Sequence, residues 1–321
     1  MAEYSKGASL DGMQVCVIGA GTIGASWAAL FLAHGMRVAV SDPDPASEAR
    51  VRAYIDDAWP ALTQMGLAQG ASPENWSFHL DLREAASGAD IVQENGPERL
   101  EVKRAIYAAL EEVLAPEAIV VSSTSGLIMS DLQEGMRHPE RFVIGHPFNP
   151  PHLIPLVEVV GGKATSEEVI SRLMGFYGAL GKRAIRLRRE VPGHLANRLQ
   201  AALWREAVHA VATGLASVED VDTAIAEGPG LRWALMGPHM IFGLAGGEDG
   251  MAHFLDHIGP AMESWWADLG HAELTPELRQ KLIAGWDEER AGRGVAELAA
   301  QRDKRLLALI EMLRATEKAG R

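Results

Sequence analysis

"VIGAGTIGASWAALF", residues 17–31, runs from β-branched residues through a glycine loop into a helix-length apolar segment. Gly19, Gly21 and Gly24 stand in the spacing G-x-G-x-x-G, with Thr22 and Ile23 between the last two. The spacing alone is weak. It gains weight because the run "MQVCVI" (13–18) precedes it, a helix follows, and Asp42 closes the next apolar run, "RVAVS" (37–41). In that context Gly19 allows the tight turn, Gly21 lets a pyrophosphate approach, and Gly24 lets helix and strand pack closely. The phosphates lie over the helix N-terminus, beside Thr22 and Ile23. Asp42 accepts hydrogen bonds from ribose hydroxyls and repels a 2'-phosphate, which favours NAD over NADP as cofactor.

Working outward, short apolar runs alternate with helix-length segments: "DIVQ" (90–93), "AIVVS" (118–122), "RFVIG" (141–145) and "LVEVV" (156–160), with helices over 22–34, 46–66 and 98–113. Continuous rather than alternating hydrophobicity fits strands covered on both faces. Beyond about residue 190 the pattern turns helical, over 217–226, 247–268, 275–290 and 294–316, with no convincing strand. The expected fold is α/β: a Rossmann-type doubly wound parallel sheet over 1–189, then an all-helical C-terminal domain over 190–321 for substrate binding and dimerisation.

A net charge of −13 argues against nucleic acid or an anionic membrane surface as partner. No apolar stretch approaches the ~20 residues that cross a bilayer. The opening "MAEYSKGASLDG" lacks the apolar core of a signal peptide. The one cysteine, Cys16, can form no internal disulfide, which fits a reducing, cytoplasmic setting. No metal is expected.

In "VIGHPFNPP" (143–151), prolines follow His146 and prevent a helix or a central strand from continuing. Alone, such a histidine reads more readily as part of a structural loop. Twelve residues on, "PLVEVV" sets Glu158 inside an apolar strand, where a carboxylate is costly unless paired. The two explain each other as a general base and the carboxylate that orients it. Ser125, in "VVSSTSGL" (120–127), is the candidate partner of a substrate oxygen, though an ordinary polar loop accounts for it as well. Asn197, in "VPGHLANRL", is a neutral donor that would be unremarkable alone.

These segments together resemble the 3-hydroxyacyl-CoA dehydrogenase superfamily along nearly the whole chain, through "GAGTIG", "SSTSGL", "GHPFNPP", "LVEVV" and "VPGHLANRL". The resemblance implies NAD-dependent oxidation of a 3-hydroxyl, with His146 as base, Glu158 as its partner, and Ser125 and Asn197 on the substrate oxygen. "QENGPERLEVK" resembles the segment facing the nicotinamide half, which makes Glu98 and Lys103 candidate cofactor residues. It also implies a homodimer through the helical domain.

Family members that take acyl-CoA carry a lysine-rich hairpin after the second strand; here no lysine lies between Lys6 and Lys103. A free, small 3-hydroxy acid is therefore expected. The segment "EGPGLRWALMGPHMIFGLAGGEDGMAHFLDH" resembles the branches acting on L-carnitine and L-gulonate, and stands closer to the former. Among the eight tryptophans, Trp233 is the candidate aromatic face for a quaternary ammonium and the neighbouring Arg232 the candidate partner of a carboxylate, although helix packing explains either. A structural or NAD-sensing protein is the non-enzymatic alternative.

Overall fold

The computed structural model describes residue 10 and residues 12–319. Most of the N-terminal stretch considered above for a signal, with Lys6, lies outside the described residues. The chain divides into two compact units, one ending at Asn197 and the other starting at Arg198.

The first unit is one eight-stranded sheet: β1 (Gln14–Ile18), β2 (Arg37–Ser41), β3 (Trp76–His79), β4 (Ile91–Glu94), β5 (Ile119–Ser122), β6 (Phe142–Pro147), β7 (Leu156–Gly161) and β8 (Arg183–Arg186). Its order is β3-β2-β1-β4-β5-β6-β7-β8. Six helices connect the strands: α1 (Thr22–Ala33), α2 (Ser47–Met65), α3 (Leu82–Ala86), α4 (Leu100–Glu111), α5 (Met129–Leu132) and α6 (Glu167–Ala179). Successive strand residues point to opposite faces, so Val15 and Val17 join Trp27, Phe31 and Tyr177 in one core layer. Cys16 and Ile18 join Tyr107, Leu110 and Met129 in the other. Helices on both faces explain why these strands are apolar throughout.

The sheet departs from the parallel expectation at one place. β6 and β7 pair antiparallel, while every other pair is parallel. Only residues 148–155 join these two strands. A parallel crossover needs a dozen or more residues, so this link can only reverse the chain. Two strands were also missed. β3 and β8 are the edge strands, where polar and basic side chains are tolerated because one side stays unpaired. β8 comes from "GKRAIRLRRE", whose charge suggests a solvated edge held by salt bridges; Arg186 does pair with Glu167 at 2.6 Å. Lys182 does not fit that picture. It is buried, with its ammonium on the carbonyls of Pro151 and Ile154 and over the Trp27 ring.

The second unit is helical among the described residues. It takes most of α7 (Ala196–Thr213), then α8 (Val218–Ala226), α9 (Pro229–Trp233), α10 (Pro238–Ala245), α11 (Gly250–His257), α12 (Gly259–Asp268), α13 (Pro276–Arg290) and α14 (Val295–Ala319). Ser217 and Asp220 close a reciprocal cap at the start of α8, and Thr275 caps α13. The helix expected over 247–268 is broken between α11 and α12, where Gly259 and Pro260 follow the end of α11. No helix among the described residues is long and apolar enough to cross a membrane.

Candidate active site

The glycine loop joins β1 to α1. Gly19 has φ +85°, and a Cβ there would lie 2.7 Å from the Asn95 carbonyl oxygen. A Cβ at Gly24 would come within 1.9 Å of the Gly19 carbonyl oxygen. Gly21 is different: nothing lies within 4 Å of its missing Cβ. Two glycines are thus required by the protein's own packing, while the third leaves open space at the start of α1. Thr22 and Ile23 form the first turn, whose N–H groups have no partner within the helix. Asp42 follows β2; its Oδ2 accepts the Ala20 N–H at 2.9 Å and its Oδ1 the Asp44 N–H at 3.0 Å. The carboxylate is thereby fixed beside the loop with lone pairs to spare. An open backbone cradle, a helix N-terminus and an adjacent fixed carboxylate are what a dinucleotide needs, so the residues present fit NAD.

Beneath this loop lies a buried polar cluster that sequence reasoning missed. Glu94, at the end of β4, is fully buried. It accepts from Lys103 Nζ (2.7 and 3.0 Å), the Tyr107 hydroxyl (2.8 Å), Ser122 Oγ (2.7 Å) and the Gly96 N–H (2.5 Å). Lys103, expected at the cofactor, is 1% exposed, and its third donor meets the Gly96 carbonyl at 3.2 Å. A charge at this depth is tolerable only with such a complete shell. The cluster holds the Asn95–Gly96 turn against Gly19.

Glu98 organises the turn after β5. Its Oε1 accepts from Thr124 Oγ1 (2.5 Å) and from the N–H groups of Ser125 (2.9 Å) and Gly126 (2.8 Å). Burial works against its charge, but these bonds and Lys103, 3.9 Å away, outweigh it and hold the carboxyl below its ordinary range. Ser125 itself is exposed at the tip of the turn.

His146 and Glu158 are opposed in the β6–β7 register. His146 Nδ1 lies 2.9 Å from Glu158 Oε2, with the two residues 4% and 0% exposed. Glu158 Oε1 accepts the N–H groups of Leu195 and Ala196, both at 2.9 Å, where α7 begins. Burial alone would raise the Glu158 pKa; the His146 bond and the two backbone donors overcome it and lower the value. A carboxylate can only accept, so His146 carries a proton on Nδ1, and in the neutral ring the lone pair is on Nε2. Such an imidazole can take a proton from an alcohol. Asn197 follows immediately in α7, half-buried. Sequence reasoning also missed the two rings beside the base: Phe148 and His194 each lie 5.1 Å from the His146 ring. The signal for His194 was present, since it stands inside the quoted "VPGHLANRL".

Arg232 and Trp233 are adjacent at the end of α9 in the second unit, both exposed. Among the described residues, no three His, Cys, Asp or Glu side chains are grouped to hold a metal.

Comparison with known proteins finds relatives along nearly the whole chain. The family described as "3-hydroxyacyl-CoA dehydrogenase, NAD binding domain" matches residues 14–191, and its "C-terminal domain" matches 193–297. An L-carnitine dehydrogenase of Streptomyces coelicolor is 50% identical over 307 residues, 96% of each chain. Another from Pseudomonas putida is 45% identical over 94% of each chain. Among solved structures, an NAD+-dependent 5-formyl-3-hydroxy-2-methylpyridine 4-carboxylic acid 5-dehydrogenase superposes with a TM-score of 0.81 at 30% identity, covering 94% of this chain and 99% of the other.

Proposed function

The chain belongs to the 3-hydroxyacyl-CoA dehydrogenase family, and from that premise we propose that it oxidises the 3-hydroxyl of L-carnitine to 3-dehydrocarnitine. It is an NAD-dependent dehydrogenase. The observation that carries the substrate is the set of relatives named L-carnitine dehydrogenase, 44–50% identical over nearly the full length of both chains. The hairpin region agrees with a substrate lacking a nucleotide tail. It is lysine-free, and its arginines are already engaged: Arg50 with Asp44 (2.7 Å), Arg52 with Glu74 (2.8 Å) and Arg83 with Glu112 (2.9 Å).

In this reading Gly19, Gly21, Thr22, Ile23 and Gly24 seat the pyrophosphate and Asp42 the adenosine ribose. Glu98 lies towards the nicotinamide half, and Lys103 acts from below by holding Glu94 and Gly96. Bound NAD supplies the acceptor for the hydride from the carbinol carbon. His146 Nε2 takes the hydroxyl proton, and the imidazolium so formed is stabilised by the ionised Glu158 on Nδ1. Ser125 and Asn197 donate to the substrate oxygen as it becomes a carbonyl. Trp233 offers an aromatic face to the trimethylammonium group, which has no hydrogen to donate, and Arg232 a guanidinium to the carboxylate. The experiment is product formation: purified protein with L-carnitine should reduce NAD and yield 3-dehydrocarnitine by mass spectrometry. NAD reduction only with another alcohol would overturn the substrate.

We also read the protein as a cytoplasmic homodimer joined through the second unit. That unit exposes the large apolar side chains of Leu199, Leu203, Trp204, Leu231, Trp265 and Trp266, which a partner subunit would cover. A groove of about 600 Å³ beside Leu203, Trp204 and Ile225 adds to it. The single cysteine is buried and free, in keeping with a reducing compartment.

A further inference from the structure

We propose that His194 is a positioning residue of this active site, tying the Ser125 turn to the His146–Glu158 pair; the inference rests on the dehydrogenase reading above. Neither the base nor its carboxylate partner needs a second imidazole. Yet one is present, 1% exposed, with its ring 5.1 Å from that of His146.

Its hydrogen bonding fixes its state. His194 Nε2 lies 3.0 Å from the Thr124 carbonyl oxygen, which can only accept, so the ring carries its proton on Nε2. Nδ1 then holds a lone pair, and it is buried with no partner among the described residues. Protonating Nδ1 would place a charge there with nothing to receive its hydrogen. His146 on β6 faces the ring, with Glu158 on β7 and Glu98 ahead of α4 nearby. Burial is the main influence keeping the imidazole neutral, and His146 adds to it against the Thr124 bond. A neutral ring does not repel the imidazolium that forms on His146 when the base takes the substrate's proton.

The backbone around it is built to the same end. Gly193 and His194 have φ values of +74° and +50° in succession, a conformation rarely adopted by a residue with a side chain. The segment is fastened at three places. Glu190 accepts from the Ser130 N–H and hydroxyl, His194 donates to Thr124, and the N–H groups of Leu195 and Ala196 meet Glu158. Residues 190–196 thus form a strap. Through it Ser125 (next to Thr124), His146 (through Glu158) and Asn197 (the next residue of α7) keep one spacing. A phenylalanine would fill the same space; only a side chain with an N–H where Nε2 lies ties the turn.

The test compares wild type with His194→Phe and His194→Gln. Glutamine's amide nitrogen reaches about as far as Nε2, donates to a carbonyl and does not titrate. With L-carnitine and NAD, His194→Phe should lower kcat on the order of 10- to 100-fold, the cost of sub-ångström misplacement, and leave the KM for NAD within about twofold. His194→Gln should recover most of the loss. Wild-type kcat in His194→Phe, or equal loss in both variants, would overturn the inference. A second readout does not depend on the substrate. Nitrogen NMR of the histidine side chains, with His194 assigned by its absence from His194→Gln, should show a neutral ring protonated on Nε2 near about pH 7. A charged ring, or one protonated on Nδ1, would overturn the inference even if turnover supports L-carnitine. Conversely, a neutral Nε2–H ring in a wild type that ignores L-carnitine would sink the substrate reading and leave the strap standing.

Discussion

His146 and Glu158 are directly opposed across the antiparallel β6–β7 pair, with Nδ1 2.9 Å from Oε2, while the other carboxylate oxygen is held by the N–H groups of Leu195 and Ala196. The strand register positions the pair and the start of α7 orients it. Replacing Glu158 with glutamine leaves an oxygen to accept those two N–H groups and turns an amide NH2 toward Nδ1. His146 would then accept at Nδ1 and carry its proton on Nε2, the wrong nitrogen for a base. Glu158→Gln should therefore reduce kcat roughly a thousandfold or more, with NAD affinity nearly unchanged. Single-turnover formation of NADH, beside a titration of NAD binding, measures both; turnover near wild type would mean the tautomer is not set by Glu158.

The glycine loop separates two kinds of glycine. At Gly21 a methyl group meets nothing of the protein, and the backbone already has an ordinary φ of −70°. Gly21→Ala should unfold at nearly the wild-type urea midpoint but raise the KM for NAD at least tenfold. Gly24→Ala puts its methyl 1.9 Å from the Gly19 carbonyl oxygen and should cost about 3 kcal/mol of stability. Equal stability of the two variants would contradict the division.

How far the sequence could be read depended on how local each signal was. The run "MQVCVI", the glycine spacing and Asp42 lie within one strand-loop-helix-strand unit, and all took the expected places in the first unit. His146 and Glu158 were legible because one sat among prolines and the other among valines, each anomalous alone. The reversal at β7 was written in the length of the link 148–155 but hidden by the apolar character β7 shares with the parallel strands. β8 was missed because its arginines mimic a solvated edge. Glu94 and His194 were missed for a different reason. Glu94 sits in "IVQENG" and His194 after a proline, and their partners at Ser122 and Thr124 lie 28 and 70 residues away, a pairing that only the folded sheet makes.

The stability of the fold should carry a two-step pH dependence. Glu158 and Glu98 have lowered pKa values in the folded chain. They contribute fully above the ordinary glutamate value near about 4.3, and the contribution is lost as pH falls through their depressed values. His194 is lowered as well, so its contribution is complete above about 6.5 and declines as pH falls toward its folded value. Urea unfolding between about pH 8 and 2 should show a shallow decline beginning near 6.5, at most about 1.4 kcal/mol per pH unit from His194, and then a steeper carboxylate loss below about 4.3. His194→Gln should lack the shallow step. A variant as pH-sensitive as wild type above about pH 5 would assign that slope to another group.

The proposed homodimer draws its support from the exposed apolar side chains of the second unit. Light scattering at micromolar concentration should give twice the 34.6 kDa chain mass. Trp204→Glu, at a residue 57% exposed beside the α7–α8 groove, should shift the mass toward the monomer. A monomeric wild type would mean that this surface has another use.

The most direct test of the whole account is kcat/KM with NAD for L-carnitine, L-gulonate and 3-hydroxybutyryl-CoA under identical conditions, with the neutral tert-butyl isostere of L-carnitine alongside. L-carnitine should give the highest value, and the isostere should fall below it by about 2- to 30-fold, the range expected when aromatic faces hold the ammonium. A higher value for L-gulonate or for the CoA ester would contradict the account.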